Sequence, residues 1–375
     1  MAGIYIHIPF CKQKCHYCNF YSFASTKYRD VFVDALLREV DLRKEYLNNE
    51  TINTIYFGGG TPSLLSTKEL NKIIDHLKTN FKVDEEVEIT LEANPDDLSP
   101  DKLKQLKTTE INRLSIGIQS FFDDDLKYLN RVHSSKNAIE AIENSIKTGF
   151  DNLTVDLIYG IPGLTEKKWR ENLRIFFDFE INHLSSYSLT VEPKTALNTL
   201  ISKKKLAAVN EEESITHFKI LLEEANKNKY IHYEISNFAR EGFYSKHNSI
   251  YWLGGHYVGF GPSAHSFDGT SRQWNVANMK QYVESNSIED IILDKEQLTQ
   301  YVQFNEYVMT SLRTAWGCDT THIESIFDRS FVNRFKKTAE KFIFKNQISK
   351  SGNIYTLTNK GKLFADGIAS EFFIF

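Results

Sequence analysis

The sequence predicts an α/β fold made of six strand–helix units, followed by a smaller α+β domain of winged-helix type. Short β-rich runs recur through residues 3–193, and amphipathic helical stretches such as residues 28–47, 67–81 and 135–150 lie between them. Strands that alternate with helices form βα units, and such units build a parallel sheet. A closed barrel of this type has eight units, so six units leave an incomplete barrel and an open doubly wound sheet as alternatives.

The six predicted strands share one pattern, an apolar beginning and a polar or glycine-rich end. In chain order they read GIYIHIPF, INTIYFGGG, EVEITLEANP, NRLSIGIQSF, NLTVDLIYGIPG and HLSSYSLTVEP. The carboxyl ends of parallel strands form one face of a sheet, and ligands bind there. We therefore expect the residues that end these strands to converge on one pocket. Each of them alone is equally explained as the place where a buried strand meets solvent.

The chain divides into three predicted regions: a partial barrel over residues 1–230, a linking segment over 231–292 and a winged-helix-like domain over 293–375. In the last region, residues 295–314 and 331–348 have helical patterns, and two short strands turn at residues 351–353 before a final helix. Lysines in this region are balanced by acids. That balance disfavours DNA binding and favours an interaction or lid role.

Composition narrows the class of protein. The chain has 375 residues, 41% of them hydrophobic, and a formal charge of −4, which is enough for one large and one small domain. The mild acidity argues against nucleic acid as a partner. We expect a cytoplasmic protein, because the sequence has neither a signal-peptide pattern nor a run of about 20 apolar residues. In a reducing compartment, clustered cysteines more often bind metal or react than form disulfides.

Three of the four cysteines, Cys11, Cys15 and Cys18, form a C-x3-C-x2-C pattern in the loop after the first predicted strand. A structural zinc ion takes four protein ligands, and His7 or His16 would have to supply the fourth. A [4Fe–4S] cluster normally takes one cysteine per iron, so three thiolates leave one iron open for an external ligand. Buried or regulatory thiols are the third alternative. The remote fourth cysteine, at position 318, is predicted to be a small buried apolar residue.

The stretch CKQKCHYC, after the strand YIHIPF, resembles the cluster motif of the radical S-adenosylmethionine (SAM) family. The resemblance implies a partial (β/α)6 barrel and a [4Fe–4S] cluster held by Cys11, Cys15 and Cys18. It also implies that the amino and carboxylate groups of SAM bind the open iron. In that family, an electron from the cluster cleaves the sulfonium of SAM to methionine and a 5′-deoxyadenosyl radical.

Further segments resemble the SAM-binding elements of the same family in the same order: YFGGGTPS, LEANP, GIQSF, YLNRVH and VDLIYGIPG. The resemblance implies SAM contacts for Tyr5, Tyr17, Gly59, Gly60, Thr61, Glu92, Gln119, Arg131 and Asp156. Glycine lets backbone amides approach a ligand closely, and the fixed charge of Arg131 suits a carboxylate. Taken singly, Glu92 is equally explained as a loop cap and Asp156 as a helix N-cap. Arg131 alone is explained as the ion-pair partner of an acid at position 123 or 124.

The resemblance covers nearly the whole chain and points to the coproporphyrinogen-III-oxidase-like subgroup. The oxygen-independent oxidase of this subgroup carries a further cysteine two places after the third, where this chain has Phe20. The oxidase also has an extension before its first strand that this sequence lacks. Both departures favour the other branch of the subgroup, the haem chaperones, and leave the oxidase as the alternative.

A histidine-rich and aromatic stretch, YSKHNSIYWLGGHYVGFGPSAHSF, is the second marker of the chaperone branch. Its residues 247–252 match the H-N-x-x-Y-W motif associated with haem binding there, which implies His247 as a haem contact. An imidazole beside aromatic faces suits an iron porphyrin, and His256 and His265 are further candidates. The alternative is that His247 is a hydrogen-bonded core residue. Phe238, in YEISNFA, is predicted to line the same cavity.

The resemblance implies a chaperone that binds haem and delivers it to acceptor haemoproteins such as respiratory-chain components. A haem or electron donor protein is an expected partner, and peripheral contact with a membrane is left open. No G-x-G-x-x-G fingerprint for a nicotinamide cofactor is present. Whether the protein is also an enzyme stays undecided at this stage, because reductive cleavage of SAM is chemically feasible. A winged-helix regulator with a redox cluster is the third hypothesis.

Overall fold

Six parallel strands form the centre of the structure, a computed structural model that describes residues 1–25 and 27–375. The strands are β1 (Ala2–Ile8), β2 (Ile52–Gly59), β3 (Val83–Ala93), β4 (Arg113–Gln119), β5 (Leu153–Tyr159) and β6 (His183–Ser188). The helices of this half are α1 (Arg29–Arg43), α2 (Thr67–Asn80), α3 (Pro100–Leu106), α4 (Asp123–Tyr128), α5 (Ser135–Lys147), α6 (Glu166–Asp178), α7 (Ala196–Ser202) and α8 (Glu211–Lys227). Each strand pairs in parallel with the next strand along the chain, as the alternation of strand and helix predicts.

Both edges of this row carry strands from the middle of the chain. The strands are β7 (Ile231–Glu234), β8 (Asn237–Ala239), β9 (His256–Phe260), β10 (His265–Phe267), β11 (Ser271–Asn275) and β12 (Ile292–Gln297). The helices are α9 (Lys246–Trp252), α10 (Met279–Glu284) and α11 (Ile288–Ile291). The complete sheet runs β12-β11-β10-β9-β1-β2-β3-β4-β5-β6-β8-β7. Its two ends lie at β12 and β7, and the predicted α/β partial barrel is confirmed.

The C-terminal part has its own small sheet and its own hydrophobic core. Its elements are α12 (Gln300–Leu312), β13 (Cys318–Asp319), α13 (Thr320–Ile326), α14 (Arg329–Phe344), β14 (Ile348–Ser351), β15 (Ile354–Leu357), α15 (Asn359–Lys362) and α16 (Ala365–Ser370). Strands β14 and β15 form the predicted hairpin. Fully buried Phe304 and Phe335 belong to the core beneath them, and so does Cys318.

The start of the last region differs from the helix predicted from residue 295. Residues 292–297 form strand β12, which pairs antiparallel with β11, and helix α12 begins only at Gln300. Thr299 caps that helix by accepting a hydrogen bond from the Val302 amide. The boundaries predicted at residues 230 and 292 stay predictions, since residues 231–297 supply strands β7–β12 to the large sheet. Over the described residues, no helix is long and apolar enough to cross a membrane.

A buried ion pair attaches the antiparallel end of the sheet to helix α1. Glu39 and Arg43 lie one turn apart on α1, and their charged groups are 2.7 Å apart with side chains 0% and 2% exposed. The Arg43 guanidinium also donates to the Gly259 carbonyl oxygen and the Ser266 hydroxyl. The Glu39 carboxylate accepts from the Asn275 side-chain amide, from a backbone amide and from a tyrosine hydroxyl. Both carboxylate oxygens of Glu39 and both terminal nitrogens of Arg43 therefore have partners, the condition under which a buried pair is tolerated.

Candidate functional site

The carboxyl ends of the parallel strands surround a cavity of about 390 Å³. The structure brings eleven of the residues predicted for the cluster and for SAM to its wall. They are Cys11, Cys15, Tyr17, Cys18, Gly59, Gly60, Thr61, Glu92, Gln119, Arg131 and Asp156. Tyr5 is the exception: its ring lies behind the wall, stacked on Tyr56 with 6.1 Å between ring centroids.

The loop that carries the cysteines is fixed by backbone hydrogen bonds at both ends. The Cys11 amide donates to the Phe23 carbonyl oxygen at 3.2 Å, and the His16 amide donates to the Leu129 carbonyl oxygen at 3.1 Å. The His16 ring is bonded to the Tyr128 carbonyl oxygen, outside the cavity wall. This loop therefore presents its thiols, and not its histidine, to the cavity.

The other candidate for a fourth zinc ligand, His7, is also engaged elsewhere. Its Nε2 donates to the Tyr21 carbonyl oxygen at 2.8 Å, because a carbonyl oxygen only accepts, and its Nδ1 lies 3.3 Å from the Tyr5 hydroxyl. Across residues 1–25 and 27–375, no three His, Cys, Asp or Glu side chains are close enough together to hold a single metal ion. A cluster makes a different demand, because each of its irons takes its own thiolate.

Arg131 places a fixed positive charge beside the thiols. Its guanidinium donates to Cys15 Sγ at 3.3 Å, to Asn94 Oδ1 at 2.6 Å and to the Gly117 carbonyl oxygen at 2.8 Å. These partners replace the ion pair with the acids at 123 or 124 that was the alternative. Burial raises the pKa of the Cys11 and Cys18 thiols. Thiolates there need a compensating positive charge, which Arg131 and a metal centre supply.

The glycines after β2 bring the backbone of two strands close together. Gly59 has φ +105°, a conformation that L side chains rarely adopt. A Cβ on Gly60 would lie 2.7 Å from the carbonyl oxygens of both Ile8 and Phe10, atoms that belong to the start of the cysteine loop. Thr61 follows, with its hydroxyl accepting from the Asn94 amide. Glycine is thus required here to seat the cysteine loop against the second strand.

Two buried carboxyl groups face the cavity from β3 and β5. Glu92 accepts from the Tyr56 hydroxyl at 2.8 Å and from the Gly59 amide at 3.2 Å, so it caps the backbone at the glycine end of β2, as the loop-cap alternative describes, while it also lines the cavity. Burial raises the pKa of Glu92 to about 7 and that of Asp156 to about 6. Asp156 lies inside β5, whereas Thr165 caps the following helix, which excludes the N-cap explanation.

Sequence reasoning missed several polar residues of the same wall. Ser115, Tyr187 and Glu192 line the cavity beside the predicted set. Ser115 and Tyr187 lie within strands β4 and β6, so the sheet geometry was needed to recognise them. Asn94, which follows β3 and belongs to the strand-end pattern of the sequence, also lines the cavity.

His247 does not line the cavity at the strand ends, nor a second cavity of about 1050 Å³ beside the C-terminal helices. Its side chain lies in a core position 1% exposed. Nδ1 is 2.7 Å from the Thr54 hydroxyl, and Nε2 is 2.8 Å from the Tyr251 hydroxyl. Ligation of haem iron by His247 would require one of these hydrogen bonds to break. The alternative stated from the sequence, a hydrogen-bonded core histidine, describes this geometry.

The prediction for Phe238 is wrong. Its ring is fully buried and stacks on His232 with 4.1 Å between ring centroids, so it belongs to the core and not to a cavity wall. The reason is the short strand β8. It pairs with β6 and places Phe238 in the main hydrophobic core.

The profile of the Radical SAM superfamily matches residues 5–175, the part of the chain that carries the three cysteines and most of the wall of this cavity, called the cluster cavity below. The heme chaperone HemW of Bacillus subtilis is 35% identical over 99% of both chains, and that of Lactococcus lactis is 30% identical over 99% of this chain and 97% of its own. The chain belongs to the HemW family of the radical SAM superfamily. The predicted subgroup is therefore confirmed.

A solved structure shares the HemW-like fold over almost the whole chain. Coproporphyrinogen III oxidase (HemN) from Escherichia coli superposes with a TM-score of 0.84, at 21% identity, over 99% of this chain and 89% of its own. At that identity the likeness concerns the fold alone. It includes both the barrel and the C-terminal region of this HemW family member.

Proposed function

We propose that this protein is a haem chaperone that binds haem and transfers it to acceptor haemoproteins. In this proposal it carries a [4Fe–4S] cluster on Cys11, Cys15 and Cys18, with SAM on the iron that has no cysteine. The convergence of three thiols and the predicted SAM contacts on one cavity carries the proposal. The similarity to the heme chaperone HemW of Bacillus subtilis, 35% identical over 99% of both chains, supports haem as the cargo.

The residues present fit the cofactors in their chemistry. All three thiols are free and half-buried at the cavity wall. Arg131, already beside Cys15, offers its charge to the carboxylate of SAM. The Gly60 backbone leaves room for close approach, and the Glu92 carboxylate is placed to accept from the amino group of SAM. Asp156, from the next-but-one strand, suits the ribose hydroxyls.

When bound, the cluster supplies a single electron to SAM, and the chain's own residues hold and orient the two. Burial keeps the Glu92 carboxyl protonated and uncharged below about pH 7. Its attraction for the positively charged SAM is therefore weaker there. The three free thiols suit a reducing compartment. We therefore propose a cytoplasmic protein whose partners are a haem or electron donor and haemoproteins such as respiratory-chain components, met at the membrane surface.

The competing function is coproporphyrinogen oxidation. At the position of the extra cysteine in that enzyme, this chain has Phe20, which is 62% exposed at the mouth of the cluster cavity. A phenyl ring cannot supply the thiol. This residue is our reason to rank the oxidase second.

One anaerobic experiment separates these functions. The protein is reconstituted with iron and sulfide, analysed for both elements, titrated with haem and assayed with coproporphyrinogen III on the same sample. We expect about four irons per chain, a Soret band on haem addition and no protoporphyrinogen. Cys15→Ser should lose the cluster, whereas Cys318→Ala, a buried cysteine of the C-terminal core, should keep it. Catalytic turnover of coproporphyrinogen III, or a stoichiometric zinc content in place of iron, would overturn the proposal.

A further inference from the structure

A second cavity, of about 1050 Å³, lies between the antiparallel end of the sheet and the C-terminal helices. One wall comes from β9–β12 and the other from α12, α13 and the loop after α12. Its volume lies just above the range for small-molecule sites, about 300–1,000 Å³. The cluster cavity, at about 390 Å³, is already assigned to a cluster and SAM. The second cavity has more than twice the volume of the cluster cavity, which leaves room for a macrocycle.

Strand register places the polar and aromatic side chains of the sheet wall on one face. His265 pairs across from Trp274, and Phe267 pairs across from Arg272 and from Tyr257. Directly opposite residues of antiparallel strands point to the same side, and all five line the cavity. The intervening residues of β10 and β11 are buried. The sheet thus offers an imidazole, a guanidinium and flat aromatic rings to the cavity.

The opposite wall supplies a second imidazole. His322, on α13, packs against the ring of Tyr307 on α12 with 4.4 Å between ring centroids. Both residues line the cavity. His265 and His322 are exposed, and in the described part of the chain no protein group is hydrogen-bonded to a ring nitrogen of either. Two imidazoles, one from the sheet wall and one from the helical wall, therefore line the same largely apolar cavity with their ring nitrogens unbonded to the described protein groups.

A cation lies at the same cavity. Arg272 forms an ion pair with Glu306 at 2.8 Å, which joins the sheet wall to helix α12, and both side chains are partly exposed. An ion pair in contact with water is weak, so the guanidinium can exchange Glu306 for a carboxylate of a ligand. These side chains together suit a ligand with three properties. It has a flat apolar body, it carries a metal that takes nitrogen donors, and it has carboxylates at its edge.

The H-N-x-x-Y-W residues connect His247 to this cavity indirectly. Tyr251 and Trp252 line it, and the Tyr251 hydroxyl is the group that His247 Nε2 binds. His247 acts in this structure as a positioning residue for Tyr251. The motif is thereby placed at the second cavity and not at the cluster.

We propose that haem occupies this second cavity, with His265 and His322 as axial ligands from opposite walls and Arg272 facing the propionates. The inference rests on the proposed haem-chaperone function. Imidazole is a common haem ligand, and two imidazoles saturate the axial positions of the iron. Haem would then bridge the sheet and the C-terminal region, at a place separate from SAM.

The test is a haem titration with ferric EPR on the full-length reconstituted protein. The wild type should show a Soret band and a low-spin spectrum. His265→Ala and His322→Ala should each convert the spectrum to high spin, and the double variant should bind haem about tenfold or more weakly. Arg272→Gln should weaken binding without changing the spin state. His76→Ala, an exposed imidazole on α2 that pairs with Asp41, is the matched control and should behave as wild type.

Two results overturn different parts of the argument. If the double variant keeps the wild-type Soret band, spin state and affinity, the second cavity is not the haem site, while the chaperone function stands. If the wild-type protein binds no haem, the proposed function itself fails. Circular dichroism and iron content confirm that each variant is folded. In addition, saturating SAM should leave the haem affinity unchanged, and competition between the two ligands would contradict separate sites.

Discussion

At the residue scale, the absence of a side chain at Gly60 allows the cysteine loop to lie against the second strand. A Cβ at this position would meet two backbone oxygens, of Ile8 and Phe10, at 2.7 Å each. Backbone atoms cannot move aside as a flexible side chain can. The requirement is therefore steric and local, although the atoms that impose it come from another strand.

We predict that Gly60→Ala displaces the cysteine loop and lowers cluster occupancy and SAM affinity, with a loss of stability of about 1–3 kcal/mol. Iron analysis after reconstitution and isothermal titration with SAM measure the effect. Gly367→Ala is the control, because a Cβ on that helical glycine meets no atom within 4 Å. Equal iron content in the two variants would contradict the prediction.

Glu92 gives a second prediction, on pH. Its pKa is raised by burial to about 7, above the ordinary value of 4.5. The folded state therefore binds the proton more tightly than the unfolded state, and this contribution to stability is complete below about pH 4.5 and is lost as pH rises through 7. The loss amounts to about 3 kcal/mol for the shift.

Metal-free wild-type protein and Glu92→Gln, which stays neutral, are unfolded in urea from pH 4.5 to pH 8. We expect the free energy of unfolding of the wild type to fall relative to that of the variant over this interval. Parallel pH profiles for the two proteins would show that Glu92 titrates normally.

At the scale of elements, the Glu39–Arg43 pair attaches helix α1 to strands β9–β11. Both side chains are buried, and removal of one partner leaves the other charge without compensation. We predict that Glu39→Ala costs about 3–5 kcal/mol of unfolding free energy, measured by chemical denaturation. Lys72→Ala removes an exposed ion pair with Asp34 and serves as the control, with an expected change of about 0–1 kcal/mol.

The short helix α9 presents a related case. His247→Ala deletes a buried ring and leaves the hydroxyl of Thr54, itself fully buried, without its partner. We expect a loss of about 2–4 kcal/mol in stability. Because His247 is a positioning residue in this structure, the haem complex of the folded variant should keep its low-spin spectrum. A high-spin spectrum would assign His247 as an iron ligand and return the site to the sequence-based prediction.

At the scale of the whole molecule, haem should act as a connector between the barrel and the C-terminal region. A ligand at about 100 times its Kd adds about 2.7 kcal/mol of stability. If haem lies between β9–β12 and α12–α13, the added protection should concentrate there. Hydrogen exchange with and without haem measures this. Protection confined to the carboxyl ends of β1–β6 would instead place haem beside the cluster.

Much of the fold and of the cluster site follows from the sequence alone. Alternation of strands and helices determines a parallel sheet, and a parallel sheet gathers its strand ends on one face. Cys11, which follows the first strand, and Asp156, which lies inside the fifth, therefore line the same cavity although they are distant in sequence. Tyr5, the residue of the predicted SAM set that does not line the cavity, lies before the end of its strand, and its ring stacks on Tyr56 beneath the cavity wall.

Tertiary structure alone decided the surroundings of the histidines. The partner of His247, Thr54, is 193 residues away in sequence, and no local pattern specifies which ring nitrogen meets which hydroxyl. The second cavity likewise takes its walls from elements that are distant in sequence, and it brings His265 of β10 and His322 of α13 to one space. Motifs determine sites whose residues sit at the ends of regular elements. Sites built between two packed units depend on side-chain directions that local sequence patterns do not determine.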